Sequence, residues 1–534
     1  MGHFTLSALD LAVILGELLL VVAIGLWASR SKDPSASGYF LSSGKMPWWL
    51  IGSAFVATSV SSEQIVGTMG AAYRHGMGIT NWEWWCLPTY LLMMVFFIPL
   101  YLRNQITTVS EFMTRRFGRG CADIYSGVML VGYVFVFLAP VLYGGSVTFA
   151  RLTGWPMGWV LIGMAASVGL YTILGGLDAV MWTEHRWLPD ALVSQRRLLF
   201  WVALGDIPGG WPAMAKAVPE RFHMYHPPND PETPFLGLIV GTFGVFLFYQ
   251  STNQVMIQRV LAARSTWDGL MGIVFAGFIN LIRPMVTCLL GLVVYHWIEV
   301  MKKAPSLLPD HADDTFAFAL ETFAPSGLRG VVLGGFLAAV MSTVSSLANS
   351  IATLFSLDVY RRHFALAADD RRLIFVGRLA AGTALALACL IAPLVEKVGI
   401  FKYFQTGVTY MATPFVSVML LGILWKRTHY PAAMVGLVGG LLIQIGLAAA
   451  VWKFDWKLHW LYVGGIAQAL TMLLIIAATL AIKAAPPAGS ESLVWNSMFL
   501  RHYDDVRIRP WYQSVPFWLA LYTILWTGLY VWFW

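Results

Sequence analysis

Two apolar segments of this 534-residue sequence are interrupted by short polar runs. Residues 57–64 read Ala-Thr-Ser-Val-Ser-Ser-Glu-Gln, and residues 249–254 read Tyr-Gln-Ser-Thr-Asn-Gln. Hydroxyl, amide and freed carbonyl groups at membrane depth can hold a small cation or a polar solute. Unwound backbone there must face a cavity or protein, because lipid cannot satisfy its N–H and C=O groups. The structural alternative is that small polar residues form close seams between helices.

A third polar cluster, residues 339–346, reads Ala-Val-Met-Ser-Thr-Val-Ser-Ser. The hydroxyls of Ser342 and Thr343 can join freed carbonyls in coordinating a cation. A hard ion such as sodium prefers several oxygen ligands, and neutral oxygens supply them at low electrostatic cost. The structural alternative is that each hydroxyl bonds to the carbonyl one helical turn back.

The polar clusters lie in a sequence that is too apolar for a soluble protein. It is 58% hydrophobic and 12% charged, whereas soluble domains carry about 25% charged residues. A membrane helix needs about 20 apolar residues. The sequence therefore predicts an all-α integral membrane protein of about fourteen transmembrane helices, at residues 9–28, 46–72, 80–102, 122–150, 155–176, 185–206, 236–262, 268–298, 327–357, 372–395, 399–425, 430–452, 458–482 and 514–534.

The charged residues between these segments predict an orientation in the bilayer. The formal net charge of +7 comes from short basic clusters, which suit membrane topology rather than a nucleic-acid partner. Alternating the helices places both termini outside a plasma (inner) membrane, with acids such as Asp313 and Asp314 in the outer loops. The loops predicted inside are the basic ones and include Arg30, Lys32, Lys45, Arg103, Arg115, Arg116, Arg361 and Arg362.

The two interrupted segments are five apart in the order of helices. Broken helices at matching places in two halves are typical of transporters built from inverted repeats, with the substrate site at the breaks. This spacing predicts two repeats of five helices each.

Several motifs, taken together and in order, resemble the sodium:solute symporter family, on its sodium/glucose cotransporter branch. The likeness runs from about residue 38 to residue 427. The motifs that carry it include Gly38-Tyr39-Phe40-Leu41, Ser62-Glu63-Gln64, Glu83-Trp84, Gly175-Gly176-Leu177, Gln258-Arg259, Asn349-Ser350 and Leu424-Trp425-Lys426-Arg427.

The resemblance implies one membrane transporter domain with the leucine-transporter fold. Residues 1–45 would hold a leading helix, residues 46–427 the core of two five-helix repeats, and residues 428–534 three accessory helices. The implied function is sodium-coupled symport of a small polar solute, in first place a sugar, by alternating access. Sodium would be the co-transported ion, and the protein would not be an enzyme.

The resemblance also implies the residues of both sites. Sodium would bind the carbonyl oxygens of Ala57, Val60 and Ala339 and the hydroxyls of Ser342 and Thr343. The residues that match positions at or near the sugar in the sugar-transporting members are Gln64, Glu83, Asn253 and Gln405. Asn280 stands where those members have a lysine. Tyr249 is expected to give an apolar face or a gate.

Departures from the sugar-transporting pattern leave other solutes open. Phe137 replaces an expected asparagine, Cys86 a polar contact, and Arg283 follows Asn280 by one turn. A polyol, an amino acid, or a carboxylate with Arg283 as counter-ion is a second interpretation, and a non-transporting sensor on the same fold is a third. A redox enzyme would carry histidines within its helices, and a channel a selectivity filter. The sequence indicates neither, and it leaves the oligomeric state open.

Residues 185–197 depart from the family pattern. After Trp182 and Thr183 the family usually has Asp, two residues and Gln, followed by an apolar helix, whereas here Glu184 and a charged stretch follow. One back-translation of this stretch, read one base later, gives Thr-Asp-Gly-Phe-Gln-Thr-Leu-Leu-Leu-Ala-Ser-Gly. We therefore hypothesise two compensating frame errors, near Glu184 and near Arg197. The alternative is a pore-facing or tilted helix with snorkelling arginines.

Overall fold

The computed structural model describes residues 6–28, 35–189, 195–230, 233–306, 312–397, 400–456, 458–496 and 509–534. Within those residues the regular structure is helical, apart from an isolated bridge between Met46 and Ala263. The α-helices are α1 (Ala8–Ala28), α2 (Ala36–Leu41), α3 (Trp48–Ser59), α4 (Thr68–His75), α5 (Asn81–Trp84), α6 (Cys86–Leu92), α7 (Ile98–Arg103), α8 (Val109–Arg116), α9 (Arg119–Gly132), α10 (Ala139–Thr153), α11 (Met157–Pro189), α12 (Gln195–Gly205), α13 (Gly210–Ala217), α14 (Phe235–Leu247), α15 (Gln254–Leu261), α16 (Thr266–Tyr295), α17 (Thr315–Phe323), α18 (Leu328–Thr353), α19 (Asp370–Ile391), α20 (Ile400–Leu424), α21 (Tyr430–Lys453), α22 (Trp460–Ala481) and α23 (Val515–Phe533).

Six π-helical segments extend or join these α-helices. A π-turn inside a membrane helix widens the backbone and frequently marks a functional site. The segments are Glu63–Gly67, Met93–Phe97, Tyr133–Leu138, Phe248–Thr252, His296–Val300 and Leu354–Phe364.

The helices are long and apolar enough to confirm the predicted membrane protein. Within the described residues, eleven helical stretches qualify as membrane spans, or twelve when the two bent halves of α11 are counted as one span. One of these stretches, Glu63–Arg103, is divided at Gly76 by a backbone φ of 79°. The described residues thus give eleven or twelve spans, and the predicted total of about fourteen stays a prediction.

Both predicted interruptions are breaks in the helix. After α3 the backbone at Val60 is extended, with φ −94° and ψ 105°, before helix resumes at residues 62–75. After α14 and its π-segment the backbone at Asn253 is extended in the same way, with φ −84° and ψ 119°, before α15 begins. The two breaks fall at corresponding places in the two repeats, as an inverted-repeat transporter requires.

The bend in α11 explains a glycine motif noted in the sequence. The two halves of this helix meet at an angle of 116°, and Gly176 adopts a φ of 63°. A Cβ atom at Gly176 would lie 2.6 Å from the carbonyl oxygen of Tyr39. Both the positive φ and the close approach require glycine here.

Helix α3, which precedes the first break, packs against the long helix α16. A Cβ atom on Gly52 of α3 would lie 2.4 Å from the carbonyl oxygen of Gly272 of α16, so the two backbones approach closely. On the other side, α1 packs against α11 and α18, and the accessory helices α21 and α22 pack against each other. These contacts hold both breaks inside the bundle.

The sixth predicted helix, residues 185–206, is described only in part. Helix α11 continues to Pro189 and α12 covers Gln195–Gly205. Residues 190–194, which fall within the stretch suspected of a frame error, lie outside the described residues.

Candidate solute and cation sites

A buried cavity lies beside the two breaks and collects most of the predicted solute residues. Five of the six line it, and they come from five different elements: Gln64, Glu83, Tyr249, Asn280 and Gln405. Apolar and aromatic side chains complete the wall, with a few convergent polar groups among them. Such a composition is typical of a site for a small ligand. The other lining residues are Phe55, Ser59, Trp82, Cys86, Tyr90, Val245, Phe246, Gln250, Met256, Phe404 and Val408.

Glu83 does not stand alone in this cavity. Its carboxylate accepts a hydrogen bond from Nη2 of Arg283, and their side chains are only 8% and 4% exposed. A second guanidinium nitrogen, Nη1, donates to Oε1 of Gln64 over 3.3 Å. Arg283 is therefore already paired within the protein, and it joins α16 to α5 and to the π-segment after the first break.

A carboxylate that the sequence did not single out lies behind two of the cavity amides. Glu63 is 1% exposed. Its Oε1 accepts from Nε2 of Gln405 over 3.1 Å and from Nε2 of Gln64 over 3.4 Å. Ser61 Oγ donates to its other oxygen over 3.4 Å. The signal that could have found it was its place inside the first polar run, next to Gln64.

Aromatic rings form two faces around the cavity. Trp82 stacks on Trp460 at a centroid distance of 5.6 Å and an angle of 14°. Tyr249 stacks on Phe137 at 6.2 Å and 20°. Phe137, which replaces a polar residue expected from the resemblance, thus supports Tyr249 as part of an apolar platform.

Two predicted asparagines have different surroundings. Asn280 donates from Nδ2 to the hydroxyl of Tyr90 over 2.7 Å, and its Oδ1 is buried without a partner among the described residues. Asn253 is not among the lining residues. Its Oδ1 accepts from the Tyr133 hydroxyl over 2.6 Å and from the backbone N–H of Val255 over 3.2 Å. Asn253 is therefore the N-cap of α15, and its Nδ2 is buried without a partner among the described residues.

The residues predicted to bind a cation come together at the first break. The hydroxyl of Thr343 lies 3.0 Å from the carbonyl oxygen of Val60 and 3.3 Å from that of Ala339. The carbonyl of Ala57 is one turn before Val60, whose N–H it accepts over 3.2 Å. The neighbouring hydroxyl of Ser342 is buried and has no partner in the described part of the chain. Carbonyl and hydroxyl oxygens that converge in this way are the ligands that a small hard cation takes.

A sealed ion pair lies next to this oxygen cluster. Oε1 of Glu184 accepts from Nη2 of Arg259 over 3.0 Å, from Oγ1 of Thr58 over 2.9 Å, and from Oγ of Ser346. The Glu184 and Arg259 side chains are completely buried. The sequence placed Glu184 at the edge of a suspect stretch, whereas here it joins α11 to α3, α15 and α18.

The sodium:solute symporter family matches residues 39–185 and 205–440 of the chain. The chain belongs to this family. A sodium/glucose cotransporter from Vibrio parahaemolyticus is 33% identical over 458 residues, which cover 82% of this chain and 84% of the relative. A sodium/myo-inositol cotransporter 2 from Sus scrofa is 27% identical over 558 residues, covering 96% and 81%. The family match is interrupted at residues 186–204, which include most of the stretch that departs from the family motif.

A solved symporter has the same fold. The structure of a Na⁺-coupled sialic acid symporter in a substrate-bound outward-open state superposes with a TM-score of 0.80, at 19% identity. The superposition covers 90% of this chain and 99% of the sialic acid symporter chain. The predicted leucine-transporter fold is confirmed. This family member is a sodium-coupled symporter of a small solute, a multi-pass membrane protein with sodium as its co-transported ion, and it is not an enzyme.

Proposed function

We propose that this symporter carries a neutral sugar or polyol, which binds in the cavity at Gln64, Glu83, Tyr249, Asn280 and Gln405. Sodium binds to the carbonyl oxygens of Ala57, Val60 and Ala339 and to the hydroxyls of Ser342 and Thr343. Asn253 leaves the proposed solute set, because its side chain caps α15.

The ion pair of Arg283 with Glu83 is the observation that carries this choice of solute. A carboxylate solute would need Arg283 as its counter-ion, but that guanidinium already has a carboxylate partner. Breaking a buried pair by removing one partner costs about 3–5 kcal/mol. A neutral solute leaves the pair intact and hydrogen-bonds around it.

The remaining wall suits a hydroxylated ring. The amides of Gln64, Gln405 and Asn280 both donate and accept hydrogen bonds, as a solute with several hydroxyls requires. The buried Oδ1 of Asn280 is an acceptor without a partner among the described residues. Trp82 and Tyr249 offer flat apolar faces for the carbon framework of a ring. The similarity to cotransporters for glucose and for myo-inositol supports the same class.

Sodium coupling supplies enough free energy for accumulation. Moving one charge across 100 mV is worth about 2.3 kcal/mol, and a tenfold sodium gradient adds about 1.4 kcal/mol. One ion can therefore concentrate a neutral solute roughly several-hundred-fold.

The proposal includes a place for the protein in the cell. The basic loops favour a plasma (inner) membrane with both termini outside, in contact with the lipid bilayer. Residues 1–45 form the leading part, residues 46–427 the transport core, and residues 428–534 the accessory helices of one domain.

Uptake into proteoliposomes tests the function. Radiolabelled D-glucose and myo-inositol are offered with an inward sodium gradient, and a matched potassium gradient is the control. We expect sodium-dependent accumulation of at least one of them, with little competition from D-glucuronate. Uptake that glucuronate alone suppresses would favour a carboxylate solute, and no sodium-dependent uptake of any solute would favour the sensor.

A further inference from the structure

We propose that Glu63 is a positioning residue that couples sodium binding to solute binding. This inference rests on the proposed function. Glu63 does not line the cavity, but its carboxylate accepts hydrogen bonds from the two glutamine amides that do. It concerns a residue that neither proposed site includes.

The contacts of Glu63 fix the orientation of both amides. An amide has its nitrogen and its oxygen on opposite sides, so an amide whose Nε2 donates to Glu63 turns its Oε1 away from it. In Gln64 that oxygen accepts from Arg283. In Gln405 the same arrangement turns Oε1 away from Glu63, as an acceptor for a solute hydroxyl. Glu63 therefore sets the hydrogen-bonding pattern that a solute meets on two sides of the cavity.

Glu63 forms no salt bridge within the described part of the chain. Arg283 acts on Glu63 from nearby but is paired directly with Glu83. All the hydrogen bonds described for Glu63 come from donors, namely two amides and one hydroxyl, which suits an ionised carboxylate because that group only accepts. A buried carboxylate is costly in its charged form, so a cation close to Glu63 would favour its ionisation.

The proposed cation site contains no charged ligand. Its proposed ligands are carbonyls and hydroxyls, so a bound sodium ion would keep its full charge. Glu63 follows Val60 by three residues, and their Cα atoms are at most about 11 Å apart. At ~10 Å and an effective dielectric constant of about 20, the attraction between unit charges changes sodium affinity on the order of tenfold.

Each charge therefore stabilises the other across the first helix break. Sodium makes the ionised form of Glu63 favourable, and ionised Glu63 holds the amides of Gln64 and Gln405 in the orientation that a solute requires. Because coupling between two binding sites is reciprocal, solute binding raises sodium affinity by the same factor.

Equilibrium binding of radiolabelled D-glucose and myo-inositol to the purified protein, with and without sodium, gives the coupling factor. We expect Glu63→Gln to lower that factor on the order of tenfold, because it removes the charge and keeps the size. Glu63→Asp keeps the charge and should restore most of the coupling. Glu491→Gln, at an exposed residue outside both sites, is the matched control and should bind as wild type.

A purely structural role for Glu63 would weaken binding equally in both conditions and leave the coupling factor unchanged, and this result would overturn the inference. Gln405→Met gives a second test that keeps the Glu63 charge. It removes one of the two amides that Glu63 orients, so it should raise the dissociation constant for glucose and lower the coupling factor, though less than Glu63→Gln does. An unchanged coupling factor would contradict the role of the amides. Wild-type protein that binds neither probe would overturn the proposed function itself.

Discussion

Two buried glutamate–arginine pairs, Glu83–Arg283 and Glu184–Arg259, differ in their surroundings. Glu83 of the first pair lines the solute cavity, and the side chains of Glu83 and Arg283 are 8% and 4% exposed. The second is completely buried, and its carboxylate also accepts from Thr58 and Ser346. The carboxylate of a pair beside a cavity can accept further hydrogen bonds from a ligand while the pair stays intact, whereas a sealed pair stabilises the helices around it. The same two residue types thus take different roles because of solvent access and neighbouring donors.

The largest expected effect is on the sealed pair. Glu184→Gln leaves Arg259 buried and unpaired, which should lower the free energy of unfolding by about 3–5 kcal/mol. Chemical unfolding in detergent measures this. Arg115→Gln is the matched control, because Arg115 pairs with Glu111 and their side chains are 39% and 32% exposed, and exposed pairs contribute about 0–1 kcal/mol. Equal effects of the two substitutions would contradict the distinction.

The cavity pair should affect transport more than stability. Glu83→Gln keeps the size of the side chain and removes its charge, so Arg283 loses its partner at the cavity wall. Hydrogen bonds to charged groups are worth about 1.5–3 kcal/mol, which predicts a roughly tenfold to hundredfold loss of uptake efficiency in proteoliposomes. Normal uptake by this variant would place the solute elsewhere.

Substitutions in the oxygen cluster beside the Glu184–Arg259 pair should change the sodium dependence of uptake. Thr343→Ala or Ser342→Ala removes one proposed sodium ligand. A loss of about 1.4 kcal/mol in the free energy of sodium binding would raise the half-saturating sodium concentration about tenfold. Sodium titration of uptake at fixed solute measures this shift, and expression should change little. Unchanged sodium activation in both variants would contradict the site.

The smallest expected effect separates Asn253 from Gln405. Asn253→Ala removes the cap of α15 and should cost about 1 kcal/mol of stability, with little change in the KM for solute. Gln405→Ala should raise that KM, because its amide lines the cavity. Uptake kinetics and unfolding of both variants test this. A raised KM for Asn253→Ala alone would restore Asn253 to the solute site.

The stretch that follows Glu184 gives a prediction about the gene. The family match stops at residue 185 and resumes at residue 205, in line with a family-like helix that is out of frame in this sequence. We expect resequencing of the source gene to reveal two compensating frame errors, near Glu184 and near Arg197. Intact codons for residues 185–197 in an active transporter would contradict this hypothesis.

Much of the fold could be predicted, but less of the site. The breaks at Val60 and Asn253 follow from polar runs inside apolar segments. Asn253 itself was assigned to the solute by resemblance, and the structure makes it a cap, because its side chain meets Tyr133 from a helix 120 residues away. Glu63 was overlooked because its role depends on Gln405, which is 342 residues distant.

The sequence by itself determined the membrane class, the two breaks and the family. These depend on local composition, because lipid accepts apolar side chains and each membrane helix satisfies its backbone hydrogen bonds within itself. The tertiary structure decided which charges are paired. Arg283 and Glu83 are separated by 200 residues, and only the packing of α16 against the elements around the first break brings the guanidinium to that carboxylate. Glu63 is left without a salt bridge in the described part of the chain.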